Sequence, residues 1–282
     1  ISTQPSYFVQ LLGVQSINIG VTQAAPHCSC FAVVTDQGVL FGRNHDYFKQ
    51  FKSFSESSLI APTGFNRFVG QGDTFIGRED GVNDKGLAVG YSFVDGGASQ
   101  PGINFQLVIR GLLEKCSSVQ GAIAWLKSLP LSTYQNFLLA DSSGALAVVE
   151  SGPGRLDIRF PEENTPFIVA TNNFQQPGMR CLQKNKDRNW YQSEARYEAI
   201  TEALLNQEKG QEKEPLSLET CRNILSGKHG FVCQYPRKGD FDTLWSVVAN
   251  LNTLDILRAV GNPCRVLYKD DPRLKRLLGR SQ

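Results

Sequence analysis

Two short segments near residues 28 and 45 hold side chains that could together perform nucleophilic chemistry. The first carries Cys28, and the second carries Arg43 and Asp46. The apolar runs between them flank a turn at residues 36–38 and predict a hairpin, which would bring thiol, guanidinium and carboxylate together. A neighbouring guanidinium lowers the pKa of a thiol and so increases the nucleophilic thiolate fraction. The spacing alone leaves a second interpretation open, an Arg43–Asp46 ion pair at the surface beside a buried cysteine.

The remaining sequence predicts strands in hairpins and meanders, with helices grouped between them. Strands are predicted at residues 30–42 (a hairpin), 85–94 (entered through 81–85), 136–140, 145–150, 156–160, 166–171, 243–250 and 255–259. Helices are predicted at residues 103–115, 119–129, 192–205 and 217–226. The polar, charged residues 206–216 predict a flexible loop. Because strands do not alternate with helices, the pattern favours an α+β fold with mostly antiparallel sheet.

Composition excludes several classes of function. The 282 residues carry a net charge of +2, which argues against a nucleic-acid partner because phosphate contacts need clustered Lys and Arg. The histidines His27, His45 and His229 lie apart, and neither HExxH nor paired CxxC is present, so we expect no metal site and no cofactor. The seven scattered cysteines are expected to be mainly buried free thiols.

Targeting signals are weak in this chain. Residues 8–21 are moderately apolar but have no basic start, which makes them a poor signal peptide. No apolar run is long enough to cross a bilayer, so we expect a soluble protein without stable membrane insertion. Since the first residue is Ile1 rather than Met, we expect further sequence upstream. Cytoplasmic and exported locations both stay open, and so does the oligomeric state, a homo-oligomer included.

Several segments resemble elements of a known enzyme family. They are CSCFAVVTDQGVLFGRNHDYF from residue 28, GVNDKGLA from residue 81, the pair Thr171-Asn172, SEARY from residue 193, TLWS from residue 243 and GNPC from residue 261. Over roughly residues 28–268 the chain is similar to the acyl-coenzyme A:6-aminopenicillanate acyltransferase family of N-terminal-nucleophile cysteine hydrolases. Related groups are bile-salt hydrolases, penicillin V acylases and acid ceramidase-like amidases. The resemblance implies a four-layer αββα sandwich of two mostly antiparallel sheets.

The resemblance also assigns the nucleophile. Cys28 lies ten positions before Gly38, and Asp46 lies eight after it, which matches the family pattern for Cys28 rather than for Cys30. Arg43 and Asp46 would hold and polarise the nucleophile and its amine. Cys30 is interpreted as a buried core thiol.

Further roles are implied for residues later in the chain. The side-chain amide of Asn172 would donate to the oxyanion, together with a backbone N–H near Tyr91 or Ser92. Arg196 would be a second guanidinium close to the thiol, with a solvated helix charge as the alternative. His45 falls in a position that the family fills variably, and we interpret it as structural or pocket-lining.

The resemblance implies autoproteolytic activation, because in such enzymes the precursor cleaves itself before the nucleophilic cysteine, here between His27 and Cys28. The exposed α-amino group, which titrates near pH ~7.7–8.0, then serves as the base in place of a histidine. Residues 1–27 would be a propeptide or small subunit, and residues 28–282 a single catalytic domain. The fungal prototype of the family has glycine where this chain has His27.

The function implied is cleavage of a linear, non-peptide carbon–nitrogen bond of a small acyl amide through a thioester, by hydrolysis or acyl transfer. Penicillin-like amides, bile-salt-like conjugates, N-acyl amino acids, N-acyl lactones and ceramide-like lipids stay open as substrates. A second hypothesis is a non-catalytic ligand-binding protein that keeps the hydrolase fold. A thiol redox role for Cys28-Ser29-Cys30 is disfavoured, because such motifs use C-x-x-C at a helix start.

Overall fold

The structure is a computed structural model that describes residues 27–72, 76–184, 191–209, 215–233, 235 and 240–279. The expected leader upstream of His27 lies outside the described residues, as do residues 210–214 of the predicted polar loop.

The first sheet contains the strands nearest the cysteine cluster, and all of its described neighbours pair antiparallel. In spatial order these strands are β10 (Phe167–Ala170), β1 (His27–Thr35), β2 (Gly38–Phe48), β11 (Phe241–Asn250), β12 (Asp255–Ala259) and β13 (Lys269–Asp270). The hairpin of β1 and β2 therefore lies inside the sheet, flanked by β10 on one side and β11 on the other. A short 3-10 helix (Lys49–Phe54) follows β2.

The second sheet is an antiparallel meander in chain order. Its described strands are β3 (Glu56–Ile60), β4 (Phe68–Gly72), β5 (Asp80–Asn83), β6 (Leu87–Phe93), β7 (Gln135–Asp141), β8 (Leu146–Gly152) and β9 (Arg155–Arg159). The described helices are α1 (Phe105–Lys115), α2 (Val119–Lys127), α3 (Pro177–Arg180), α4 (Ser193–Glu208), α5 (Leu218–Leu225) and α6 (Arg273–Gly279). Asn104, Ser118 and Ser217 cap the starts of α1, α2 and α5 through their side-chain oxygens.

Three apolar clusters order these elements into layers. One joins the facing sides of the two sheets and includes Cys30, Phe41 and Leu138. A second packs α1 and α2 on the outer face of the second sheet, and a third packs α4 and α5 on the outer face of the first sheet. The result is the expected four-layer αββα sandwich, so the α+β fold class is confirmed.

Side-chain alternation in the hairpin assigns each residue to one layer. Along β1, Cys30 packs between the sheets, whereas Phe31 packs against the helices. Along β2, Phe41 packs between the sheets and Leu40 against the helices. By the same period of two, Cys28, Arg43 and His45 face the space between the sheets. His27, Ser29 and Asp46 face the helical layer.

Most predicted elements are present, with small shifts of their ends. The strand expected at 85–94, entered through 81–85, is instead two paired strands, β5 and β6, joined by a turn in which Gly86 has φ +77°. The predicted loop from residue 206 begins later, because α4 continues to Glu208. The strands β3 and β4 were not predicted from the sequence.

Glycine explains why β4 escaped prediction and why β5 was predicted only as the entry to a strand, since glycine is depleted in isolated strands and is used where backbones approach closely. A Cβ on Gly81 would lie 2.6 Å from a methyl carbon of Leu113 and 2.8 Å from the carbonyl oxygen of Val69. A Cβ on Gly70 would lie 2.7 Å from the carbonyl oxygen of Asp80. These strands therefore form because the glycine backbone, which carries no side chain, lets helix α1 and the neighbouring strand pack directly against it.

Candidate active site

The thiol of Cys28 lies at the start of β1 and is fully buried between the two sheets. Its Cα partner across the hairpin is His45, and Cys30 is paired with Arg43. The backbone nitrogen of Cys28 donates to Oδ1 of Asn172 at 2.8 Å, directly after β10. The two neighbours of β1 in the sheet thus supply the groups closest to Cys28.

Arg43 makes the contact with the thiol that the sequence predicted. Its Nη2 atom lies 3.2 Å from Sγ of Cys28. The rest of the guanidinium is anchored, because Nη1 donates to Oδ2 of Asp80 at 2.6 Å and Nε donates to the carbonyl oxygen of Tyr91 at 3.3 Å. Arg43 is fully buried, and a planar guanidinium held at both ends presents its charge to the sulfur in one orientation.

Asp80 and Trp245 are site residues that the sequence reasoning did not select. The indole Nε1 of Trp245 donates to the same Asp80 oxygen at 2.8 Å, and Arg43 lies 5.7 Å from the centre of the Trp245 ring. The acidic pair Glu79-Asp80 immediately before the recognised GVNDKGLA segment was the available sequence signal. Asp80 therefore neutralises and orients the guanidinium that faces the thiol.

His45 and Glu79 form a second contact with the thiol. Nδ1 of His45 lies 3.7 Å from Sγ of Cys28 and 2.7 Å from Oε2 of Glu79. The imidazole is stacked on Trp245 with ring centres 3.6 Å apart and planes inclined by 5°. Oε1 of Glu79 accepts from the side-chain amide of Gln106 at 3.3 Å. The structure thus brings His45 to the thiol of Cys28, whereas the sequence had assigned it a structural or pocket-lining place.

Asp46 lies on the opposite face of the hairpin from the thiol, opposite His27 in the register of β1 and β2. Its Oδ1 accepts from Thr243 at 2.6 Å and its Oδ2 accepts from Tyr235 at 2.9 Å. Strand β11 has a register shift between Thr243 and Trp245. This shift places Thr243 beside Asp46 on one face of the sheet and Trp245 beside His45 on the other. The guanidinium of Arg43 thus approaches the Cys28 thiol between the sheets, whereas the carboxylate of Asp46 lies on the helical face of the same hairpin.

Arg196 and Asn172 contact the backbone of Cys28 on the helical side. Nη1 of Arg196, in the first turn of α4, donates to the carbonyl oxygen of Cys28 at 2.7 Å and lies 3.8 Å from Oδ2 of Asp46. Its Nη2 donates to Oδ1 of Asn172 at 2.8 Å. Arg196 is buried rather than a solvated helix charge. Its hydrogen bonds go to the main chain and to the side chains of Asn172 and Ser29, whereas Arg43 makes the guanidinium contact with the sulfur.

The expected oxyanion donors lie where the end of β10 in the first sheet meets β6 of the second sheet. The side-chain Nδ2 of Asn172 donates to the carbonyl oxygen of Phe93 at 2.8 Å, and an amide NH2 has a second hydrogen to donate. The carbonyl oxygen of Tyr91 accepts from Arg43, and the hydroxyl of Ser92 donates to the carbonyl oxygen of Thr171 at 2.6 Å. Tyr91 and Ser92 therefore lie beside the cluster, and their oxyanion role stays a prediction.

Burial determines the protonation of the two residues at the expected cut. It raises the pKa of the Cys28 thiol well above its ordinary value, although Arg43 opposes this shift. The net effect is opposite to the lowered pKa expected from the sequence, because removal of the thiolate from water outweighs one guanidinium. Burial, Arg196 and His45 hold the pKa of His27 well below its usual range. His27 is stacked on Tyr191 with ring centres 3.6 Å apart. The uncut chain therefore holds a neutral thiol at a buried peptide bond.

The buried carboxyl of Asp46 predicts that the free energy of unfolding depends on pH. Burial raises the pKa of its carboxyl from 3.8 to about 6, against the lowering effect of Arg196 and of its hydrogen bonds. The folded protein thus binds this proton more tightly than the unfolded chain, so the stability contributed by Asp46 is complete below about pH 3.8 and is lost as pH rises through about 6. We expect the free energy of unfolding of wild type, relative to the non-titrating Asp46→Asn variant, to fall by about 3 kcal/mol across this window.

Urea unfolding at a series of pH values measures this difference. Asp36→Asn, in the exposed turn of the hairpin, is the matched control for the removal of one carboxylate from the same hairpin. A difference between wild type and Asp46→Asn that stays flat from about pH 4 to 7 would contradict the raised pKa.

No cluster of three or more His, Cys, Asp or Glu side chains suited to a metal ion occurs in the described part of the chain. Within the same part, no helix combines the length and apolarity needed to cross a bilayer.

The sequence of this chain matches a known protein family. The family model described as acyl-coenzyme A:6-aminopenicillanic acid acyl-transferase matches residues 33–265. This chain belongs to that family. The family resemblance predicted from the sequence is thereby confirmed. A search of curated proteins finds no match for this member of the acyl-transferase family.

Solved structures share the fold of this acyl-transferase family member. A mutant of the conjugated bile acid hydrolase from Clostridium perfringens has a TM-score of 0.65 and 15% identity, over 86% of this chain and 92% of that one. The Caenorhabditis elegans ortholog of N-acylethanolamine-hydrolyzing acid amidase has a TM-score of 0.59 and 15% identity, over 80% and 93%. Penicillin V acylase from Agrobacterium tumefaciens has a TM-score of 0.56 and 15% identity, over 87% and 86%. These similarities establish an N-terminal-nucleophile hydrolase fold.

Proposed function

We propose that this protein is a cysteine amidase or acyltransferase that cleaves the carbon–nitrogen bond of a small, linear acyl amide. In this proposal the thiol of Cys28 attacks the amide carbonyl and forms a thioester, which water or an acceptor nucleophile then resolves. Cleavage between His27 and Cys28 activates the enzyme, because it turns the nitrogen of Cys28 into an α-amino group.

The observation that carries this proposal is the set of groups around Cys28. Arg43 lies 3.2 Å from the sulfur, on the side where a thiolate needs stabilisation. Oδ1 of Asn172 accepts at 2.8 Å from the nitrogen that would become the amine, and in this proposal the side-chain NH2 of the same residue donates to the oxyanion. A non-catalytic binding protein would not need a buried guanidinium, itself anchored by Asp80, aimed at one thiol.

The α-amino group explains how turnover proceeds after cleavage. An α-amine titrates near pH ~7.7–8.0, so it accepts the thiol proton at neutral pH and returns it to the leaving amine. In the uncut chain the same nitrogen is a peptide nitrogen and cannot accept a proton. Removal of the residues before Cys28 would also open the thiol, which is fully buried in the uncut chain, to substrate.

The comparisons support an acyl amide as substrate. The family is described by an acyl transfer to 6-aminopenicillanic acid, and the neighbours are named for hydrolysis of N-acylethanolamines, for conjugated bile acids and for penicillin V. Each name refers to a small molecule rather than to a protein or a nucleic acid.

Intact mass under denaturing conditions tests the proposal first. We expect the purified full chain to contain a species that begins at Cys28, and the peptide before it to be separable. A panel of N-acylethanolamine, penicillin V, glycine-conjugated bile acid, N-acyl amino acid, N-acyl lactone and ceramide then identifies the acyl group by mass spectrometry of the released acid. An uncut chain that neither turns over any member nor reacts with a thiol-directed electrophile at Cys28 would favour the ligand-binding alternative.

A further inference from the structure

Two cysteines outside the Cys28 cluster lie against each other. Cys233, in the segment that follows α5, is buried, and Cys264, in the segment that joins β12 to β13, is exposed. Their side chains share a hydrogen bond, and the backbone N–H of Cys264 donates to the sulfur of Cys233. The structure holds both residues as free thiols. Two segments that are distant in the chain thus bring two sulfur atoms into contact.

The side chain of Asn262 fixes these two segments to each other. Its Nδ2 atom donates to the carbonyl oxygen of Cys233 at 2.8 Å, and its Oδ1 atom accepts from the backbone nitrogen of Cys264 at 3.0 Å. Nδ2 also donates to Oδ1 of Asp242 at 2.6 Å. Because one buried amide holds both main chains, the two sulfur atoms are kept together by the fold.

The segment that carries Cys233 continues directly to the carboxylate of Asp46. The backbone nitrogen of Tyr235 donates to the carbonyl oxygen of Cys233 at 3.1 Å, and the hydroxyl of Tyr235 donates to Oδ2 of Asp46 at 2.9 Å. The ring of Tyr235 packs edge-on against Phe241, with ring centres 5.1 Å apart. The position of Cys233 therefore affects how Tyr235 reaches Asp46.

We propose that Cys233 and Cys264 form a reversible disulfide by exchange with a small-molecule disulfide such as oxidised glutathione, and that this bond fixes the segment carrying Tyr235 against Asp46. The bond would close a loop of roughly 30 residues, so it would remove conformational freedom mainly from the unfolded chain. This inference concerns thiols that the proposed amide chemistry does not use, and it stands independently of that function.

Exposure gives the two thiols different roles in the exchange. Cys264 is accessible, so its thiolate attacks one sulfur of the glutathione disulfide, whose S–S bond breaks and releases one glutathione. Burial raises the pKa of the Cys233 thiol, and the contact with Cys264 adds to this shift, so Cys233 reacts second, from its place beside the mixed disulfide.

The second step completes the balance of atoms and electrons. The sulfur of Cys233 bonds to Sγ of Cys264, the bond from that sulfur to glutathione breaks, and the proton of Cys233 passes to the departing glutathione thiolate. The two protein thiols lose two electrons and two protons in total, and the oxidised glutathione gains them to become two molecules of reduced glutathione.

Thiol–disulfide exchange on the folded full chain tests the inference first. The reduced protein is incubated with oxidised glutathione, quenched in acid, unfolded and alkylated. Peptide mass mapping without reduction is expected to show the Cys233 peptide joined to the Cys264 peptide in most chains, and added dithiothreitol is expected to restore both thiols. A chain that keeps both thiols alkylatable, or that ends as a stable glutathione adduct at Cys264, would overturn the inference.

Two serine variants give the matched comparison. Cys264→Ser removes one exposed sulfur and keeps the backbone bond to Asn262, and we expect no internal disulfide in this variant. Cys181→Ser removes another exposed sulfur, whose thiol donates to the carbonyl oxygen of Gly178 at 3.1 Å, and we expect the Cys233–Cys264 pair to form as in wild type. Loss of the pair in both variants, or pairing of other cysteines in wild type, would contradict the assignment.

The effect on the Tyr235 segment is measured on the same samples. We expect oxidation to raise the melting temperature of wild type by roughly 4–10 °C. Hydrogen exchange at the Tyr235 amide, followed by NMR after 15N-tyrosine labelling, is expected to slow by about tenfold or more. Cys264→Ser treated with the same oxidant is expected to show neither change. A wild-type disulfide that leaves both quantities unaltered would disprove the fixing of Tyr235.

Discussion

The Cys28→Ala variant is expected to lose turnover of any acyl amide by a factor on the order of 10⁴ or more, and to remain uncut. Under the proposed function both losses have one cause, because the same sulfur would attack the His27 carbonyl during maturation and the substrate carbonyl afterwards. The side chain is small and packs between the sheets, so its loss removes the chemistry with little disturbance of the fold. Intact mass and release of the free acid measure the two effects.

Cys30→Ala is the matched control for this prediction. Cys30 is buried on the same face of β1, two residues along, and its thiol donates to the carbonyl oxygen of Tyr91 at 3.7 Å. We expect this variant to mature and turn over normally, with a free energy of unfolding lower by about 1 kcal/mol. Full activity of Cys28→Ala, or loss of activity in Cys30→Ala alone, would reassign the nucleophile.

Arg43→Met is expected to lower the free energy of unfolding by about 3–5 kcal/mol and to remove activity with it. The guanidinium neutralises Asp80 at 2.6 Å and lies 3.6 Å from Glu79, and all three side chains are buried. Without Arg43 these two carboxylates would be left as uncompensated charges away from water, and such charges destabilise a core much more than a lost contact does. Urea unfolding followed by fluorescence measures the change.

Two further variants sharpen this prediction. Adding Asp80→Asn to Arg43→Met removes one of the stranded charges, so we expect part of the stability to return without a return of activity. Arg155→Met removes a half-exposed arginine that lies 3.6 Å from Asp157, and we expect a change of no more than about 1 kcal/mol. A similar loss in both arginine variants would mean that the buried charges are not the cause.

Much of the fold could be predicted from periodicity and composition. The hairpin of β1 and β2, the helices α1 and α2 and the closing strands β11 and β12 each carry their own apolar pattern, because each buries a face against a core layer. The glycine-containing β4 and β5 carry no such pattern. They become strands through pairing with each other and through contact with α1, which follows only after a further strand along the chain.

The site residues also fall into two groups, those that a local motif identifies and those that only the tertiary structure brings together. Cys28, Arg43 and Asp46 lie within one hairpin, so a local motif was enough to select them, and a recognisable Thr-Asn pair selected Asn172. Glu79, Asp80 and Trp245 could not be selected in this way, because they lie in other strands and loops. Trp245 reaches His45 through the pairing of β11 with β2, and Glu79 and Asp80 reach His45 and Arg43 only when the sheets pack together.

The sequence by itself therefore determined the family and the α+β class and predicted Cys28 as the nucleophile, because these depend on residue types at short spacings. Only the tertiary structure decided the environment of that residue. Strand alternation turned Arg43 and His45 toward the thiol and Asp46 away from it, and packing of the second sheet supplied Glu79 and Asp80. Burial then reversed the expected direction of the thiol pKa, because the loss of water outweighed a single guanidinium.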